Sequence, residues 1–130
     1  MNTRDIVQKY RRVAIVGLST DPTKVSNERA VELLELGYDV VPVHPKAPEI
    51  LGRRAYASLQ EILPPPEVVD VFRPAAEAPA IAREAVKAGA KVLWLQSDIK
   101  SDEARAIALQ NGLLYVEDRC FATEAGRLDE

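Results

Sequence analysis

The stretch RRVAIVGLSTDPTKVSNERAVELLELG, Arg11 to Gly37, decides the fold. Its apolar run, Val13 to Val16, stops at Gly17; a polar loop follows, and an apolar-periodic segment restarts behind Ser26 and ends at Gly37. That order reads as strand, loop and amphipathic helix, the opening unit of a parallel α/β sheet. The first N–H groups of a helix have no intrahelical acceptor, and the helix dipole favours negative charge beside them. A phosphate suits such a position.

The same alternation runs through the rest of the chain. Val40–Val43, Val68–Phe72, Val92–Leu95 and Leu113–Val116 are the other candidate strands, most of them short, nearly continuous apolar runs, as parallel strands covered on both faces should be. Helices are expected from about Asn27 to Leu36, Ala76 to Ala88 and Asp102 to Asn111, each followed by a glycine: Gly37, Gly89 and Gly112. The second carries a clean stripe of Ala78, Ile81, Ala82, Ala85 and Val86. Ser58 and Glu61 stand at capping-box spacing, so a short helix should begin there, and an N-terminal helix should cover Arg4 to Tyr10. Pro64-Pro65-Pro66 reads as a stiff connector. The expected fold is α/β, a doubly wound, Rossmann-like sheet of five parallel strands. Counted along the chain, the expected order is 3-2-1-4-5. A ligand then belongs outside the carboxyl ends of strands one and four, between the loops Gly17–Ser26 and Gln96–Lys100. His44–Lys46 and Arg73–Pro74 lie alongside.

Composition narrows the function. A chain of 130 residues, 47% hydrophobic, is expected to form one domain over 1–130. A net charge of −3 argues against non-specific binding to nucleic acid or an anionic membrane. The single cysteine, Cys120, excludes an intrachain disulfide and fits a reducing compartment. With no apolar run of signal-peptide or membrane-spanning length, a cytoplasmic protein is expected. His44, the only histidine, has no partner at metal-ligand spacing, so no metal site is expected. No carboxylate pair or Ser–His–Asp set is spaced for catalysis, so no catalytic residue is assigned. The dinucleotide fingerprint requires three glycines, and only Gly17 is in place. His44, Pro45 and Lys46 stand where an NAD site would carry a ribose-binding carboxylate, which disfavours NAD.

The segments VGLSTDP…S, VPVHP, VDVFRP, WLQ and DRC together resemble the small stand-alone coenzyme A-binding domain proteins. Their fold also forms the N-terminal domain of the succinyl-CoA synthetase alpha subunit. The resemblance runs from about Tyr10 to Arg127. It implies that the phosphates of coenzyme A lie against Ser19, Thr20, Asp21 and Pro22 and against the helix N-terminus at Ser26. It also implies contacts near Lys46 and at the corner Gln96, Ser97 and Asp98. The synthetase loop is richer in glycine, with Thr20 and Thr23 standing here, and His44 takes a position where the small family usually shows asparagine. The synthetase's phosphorylated histidine belongs to a second domain, so its activity is not implied.

Each candidate residue has a plainer reading beside the ligand role. Ser26 reads equally as an N-cap, and Ser19 and Thr20 as turn formers. Lys24 and Lys46 read as solvated charges or as phosphate partners. Arg73 could fork a phosphate or pair with a neighbouring loop such as Asp98. Gln96 suits a pantetheine amide, an adenine edge or a helix cap. Trp94 and Cys120 read as core residues. The combined reading is a protein that binds coenzyme A or an acyl-CoA without catalytic machinery of its own. Its expected site is Gly17, Ser19–Pro22, Lys24, Ser26, His44, Pro45, Lys46, Arg73 and Gln96–Asp98. A protein partner or self-association is compatible with this. The alternatives are a subunit of an acyl-CoA enzyme whose catalytic domain is on another chain, and an NAD(P)-binding redox or regulatory protein.

Overall fold

The computed structural model describes residues 1–129. The chain opens with α1 (Thr3–Lys9), β1 (Arg12–Val16), α2 (Val25–Glu35) and β2 (Asp39–Val43). A small antiparallel hairpin follows, β3 (Glu49–Ile50) with β4 (Arg53–Arg54), and leads to β5 (Val68–Val71). Then come α3 (Ala78–Ala88), β6 (Val92–Leu95), α4 (Asp102–Gln110), β7 (Leu114–Val116) and α5 (Phe121–Gly126). Short 3₁₀ turns at Leu59–Glu61 and Ala75–Glu77 precede β5 and α3.

The five long strands form one parallel sheet in the order β2-β1-β5-β6-β7, so the α/β doubly wound fold is present. The order 3-2-1-4-5 is not. The third long strand, β5, sits between the first and the fourth, which gives 2-1-3-4-5 in the same counting. The reason lies at the outer edge of β2. Tyr56 already occupies it, donating its N–H to the Pro42 carbonyl (3.0 Å) and accepting from the His44 N–H (2.9 Å). Pro42 offers no N–H there, as suits a strand at a sheet edge. The chain instead crosses to the far side of β1, where the Phe72 N–H reaches the Val16 carbonyl at 2.8 Å. The winding therefore reverses between β1 and β5, and the crevice of the fold opens there.

Two cores cover the sheet. Ile6, Val13, Ile15, Leu33, Trp94 and Phe121 pack on the face carrying α1, α2 and α5. Ala14, Val69, Ile81, Ala85, Leu93 and Leu95 pack on the face carrying α3 and α4. Trp94 is a core residue, as expected: it is fully buried, meets Phe121 edge-on at 4.9 Å, and donates its Nε1–H to the Arg119 carbonyl at 2.8 Å.

Three helix boundaries differ from expectation. α2 starts at Val25 with Lys24 as its N-cap, so Ser26 lies in the first turn and does not cap the helix. Ser58 makes no side-chain cap bond, and only a single 3₁₀ turn follows it. α5 was not expected at all, because its six residues, FATEAG, are too few to show a helical period. Among the described residues, no helix is long and apolar enough to cross a membrane.

Candidate functional site

The loop from Gly17 to Lys24 is built by its own short polar side chains. The Ser26 hydroxyl accepts the Ser19 N–H at 3.0 Å, and the Asn27 side chain returns a bond to the Ser19 carbonyl at 2.9 Å. Ser19 Oγ accepts the Asp21 N–H (3.0 Å). Asp21 Oδ1 accepts both the N–H and the hydroxyl of Thr23 (2.9 and 2.7 Å). This is the Asx-type turn that aspartate favours. The two Thr23 bonds and nearby Lys24 hold the exposed Asp21 carboxyl below its ordinary range. The side chains of Ser19, Asp21 and Ser26 are thus spent on shaping the loop. Left without a protein acceptor, among the described residues, are the N–H groups of Gly17, Leu18, Thr20, Val25 and Ser26. The last two are first-turn donors of α2, the groups a helix leaves for an anion.

Two clefts flank this loop on opposite faces of the sheet, both at its carboxyl edge. The first, of 520 Å³, is lined by Gly17, Leu18 and Ser19, by His44 and Pro45 after β2, by Ser58, and by Arg73 and Glu77. The second, of 440 Å³, is lined by Val25 and Arg29 of α2, by Phe72, by Gln96, Ser97 and Asp98 after β6, and by Cys120 and Thr123 of the last helix and its approach. The expected residues therefore divide. Gly17, Ser19, His44, Pro45 and Arg73 come together in one cleft and Gln96, Ser97 and Asp98 in the other. Thr20, Asp21, Pro22, Lys24 and Ser26 form the ridge between them, and Lys46 stands exposed beyond Pro45. The expected opening between strands one and four is closed by β5, which lies between them.

His44 shapes the corner after β2. Its Nδ1 accepts the N–H groups of Lys46 (3.1 Å) and Ala47 (2.9 Å), closing the turn that leaves β2. An asparagine side-chain oxygen could accept the same pair, as in an Asx turn. His44→Asn should therefore leave stability within about 0.5 kcal/mol of wild type, whereas His44→Ala, losing both bonds, should cost about 1–3 kcal/mol. Urea unfolding of the two variants measures the difference.

Arg73 pairs with Glu77 one helical turn ahead, at 2.7 and 3.1 Å, rather than with Asp98. The pairing raises the guanidinium and lowers the carboxyl of Glu77. Both side chains are about half exposed, so the pair adds little stability and is free to exchange. Gln96 is 7% exposed, and neither end of its carboxamide bonds to protein among the described residues; its Oε1 is wholly buried and unpartnered. Arg29 Nε, in the same cleft, is likewise buried without an acceptor. Asp98 sits in the left-handed region (φ 69°) and donates its N–H to Asp118 Oδ1 at 2.7 Å. Sequence reasoning missed Ser58, Glu77, Arg29 and Cys120 as lining residues. Ser58, Arg29 and Cys120 come from chain segments that only the fold brings to this edge. No three His, Cys, Asp or Glu side chains are grouped to hold a metal among the described residues.

Known proteins share this fold. A family model described as a CoA binding domain matches residues 11–126. The uncharacterized protein YneT of Bacillus subtilis is 34% identical over 118 residues, covering 91% of this chain and 87% of its own. A hypothetical protein of Pyrococcus horikoshii has a solved structure that superposes with a TM-score of 0.94 at 40% identity, covering 98% of this chain and 90% of that one. The fold alone is shared with 27% of the chain of a dinucleotide-forming acetyl-coenzyme A synthetase of Ca. Korarchaeum cryptofilum (TM-score 0.71, 21% identity, 86% of this chain). Since the family match runs from the residue before β1 through the end of α5, taking in the loop and both clefts, this chain belongs to the CoA-binding domain family.

Proposed function

We propose that the protein binds coenzyme A or an acyl-CoA across the carboxyl edge of the sheet, and acts by binding rather than by chemistry of its own. The observation that carries this is the ridge of unpartnered N–H groups, Thr20, Val25 and Ser26, set between two clefts in a chain of this family. A pyrophosphate on that ridge would place the nucleoside in the cleft beside His44 and Pro45. The pantetheine arm would then run toward Gln96, whose free carboxamide matches an amide of the arm. Lys24 and Lys46 stand exposed at the loop and at the β2 corner, where phosphates would meet them. Arg73 would exchange its Glu77 partner for a phosphate oxygen.

Thermal unfolding with added ligand tests this. Coenzyme A at 100 times its dissociation constant should add about 2.7 kcal/mol, a rise of roughly 8–14 °C in Tm for a chain of this length. Desulfo-coenzyme A should do the same, the form lacking the 3′-phosphate should do less, and NADH should do least. No rise with millimolar coenzyme A refutes the proposal, and a larger rise with NADH would favour a dinucleotide-binding role. The partial overlap with a longer synthetase favours one second reading, a subunit whose catalytic part is on another chain. Co-purification of a larger acyl-CoA enzyme with the tagged protein would support it.

A further inference from the structure

Cys120 stands in the second cleft for a structural reason. The segment Asp118-Arg119-Cys120 is clamped to the β6 corner by four bonds. The Asp118 N–H reaches the Ile99 carbonyl (3.1 Å), Asp118 Oδ1 accepts from Asp98 (2.7 Å), the Arg119 N–H reaches the Leu95 carbonyl (3.4 Å), and the Arg119 carbonyl accepts from Trp94 (2.8 Å). These bonds hold the free thiol of Cys120, partly exposed, on the wall that Gln96 also lines. Gln96 supplies the independent sign of a ligand: its side chain is more than nine-tenths buried, faces this cleft, and spends neither end of its carboxamide on protein. Its Oε1 is the buried, unpartnered end, and a buried oxygen without a partner costs stability unless something bonds to it.

We propose that this cleft receives the sulfur end of coenzyme A, and that Cys120 is a modification site that forms a mixed disulfide with it. The proposal rests on the coenzyme A reading above and names the chemistry at one end of that site. The co-reactant is a coenzyme A disulfide. The Cys120 thiol loses its proton and the thiolate attacks one sulfur of the coenzyme disulfide; a new bond joins Cys120 Sγ to that sulfur as the original S–S bond breaks. The second coenzyme leaves as a thiolate and takes up the proton. Cys120 is oxidised and the departing coenzyme is reduced, so the exchange needs no other electron acceptor. Such a site would couple occupancy of the protein to the thiol–disulfide state of the coenzyme pool.

Intact-mass measurement under non-reducing conditions tests it on the full chain. The reduced protein treated with coenzyme A disulfide should gain the mass of one coenzyme A less two hydrogens, and dithiothreitol should remove it. Because the cleft gathers the reagent, the reaction should outpace that with hydroxyethyl disulfide, a small neutral disulfide, by at least tenfold on the order of a millimolar scale of reagent. Excess desulfo-coenzyme A should abolish that advantage, and Cys120→Ser should take up no coenzyme. Wild type itself carries the decisive comparison, so a poorly folding variant does not obscure the result. If desulfo-coenzyme A raises Tm while coenzyme A disulfide gives no adduct, or reacts no faster than hydroxyethyl disulfide, the Cys120 proposal is overturned and the binding reading survives. If desulfo-coenzyme A leaves Tm unchanged, both fall.

Discussion

Replacing Asp70 with valine raises stability at neutral pH by about 1–3 kcal/mol, the cost of leaving a buried polar group unsatisfied. Asp70 lies in the middle of β5, between Ile15 of β1 and Trp94 of β6, and is 1% exposed. Its Oδ1 has no hydrogen-bond partner. Burial pushes its carboxyl well above the ordinary 3.8, since the charged form would have to sit in an apolar sheet. Between the ordinary value and the raised native one, the native state holds a proton that the unfolded chain has released. Stability therefore falls as pH rises through that window, and the contribution is most favourable below 3.8, where both states are protonated. Valine removes both the orphan oxygen and the slope. Denaturant unfolding at several pH values from 4 to 8 should show the two proteins diverging as pH rises. A variant less stable than wild type at pH 7 would falsify this account and would mean that Asp70 is satisfied by a group it needs.

Gly17→Ala should be the most damaging single-methyl change in the loop, costing about 2–5 kcal/mol. Gly17 has φ 91°, in the left-handed region, and a Cβ built there would stand 2.8 Å from the Phe72 carbonyl oxygen and 2.9 Å from Arg73 Cδ. The arginine tip could move aside, but the Phe72 carbonyl cannot, because the Phe72 N–H is tied to Val16 and Phe72 continues β5 directly. Gly89 supplies the control. It shares the left-handed backbone (φ 81°) but has open space around its missing Cβ, so Gly89→Ala should cost only about 1–2 kcal/mol. Equal losses in thermal or urea unfolding would mean that backbone strain alone decides both positions. The contrast also assigns Gly17 its role: it lets the exit of β5 press against the exit of β1, which holds the ligand loop in place.

The site was legible in the sequence to different depths. The loop Gly17–Ser26 announced itself because strand, polar turn and helix follow one another within a few residues, and short polar side chains at such spacing bond locally. That local bonding also hid the finer assignment. Ser26 looks like an N-cap from the sequence, yet in the folded loop its hydroxyl accepts from Ser19 and the helix begins two residues earlier than such a cap implies, at Val25. Gln96–Asp98 could be placed at a strand exit. That Cys120 shares a cleft with them depends on bonds between residues 20 and 25 apart, donated by Asp98 to Asp118 and by Trp94 to Arg119.

Amino-acid order alone settled the alternation of strands and helices, the glycine stops at Gly37, Gly89 and Gly112, and the apolar face of α3, because hydrophobic period and glycine conformation are local properties. Tertiary structure alone decided which slot β5 fills, that Asp70 is enclosed without a partner, and which clefts the corners form. A four-residue, valine-rich strand such as β5 fits any interior position of a parallel sheet equally well. Only the occupied outer edge of β2, with Pro42 and Tyr56, leaves it a single place beside β1.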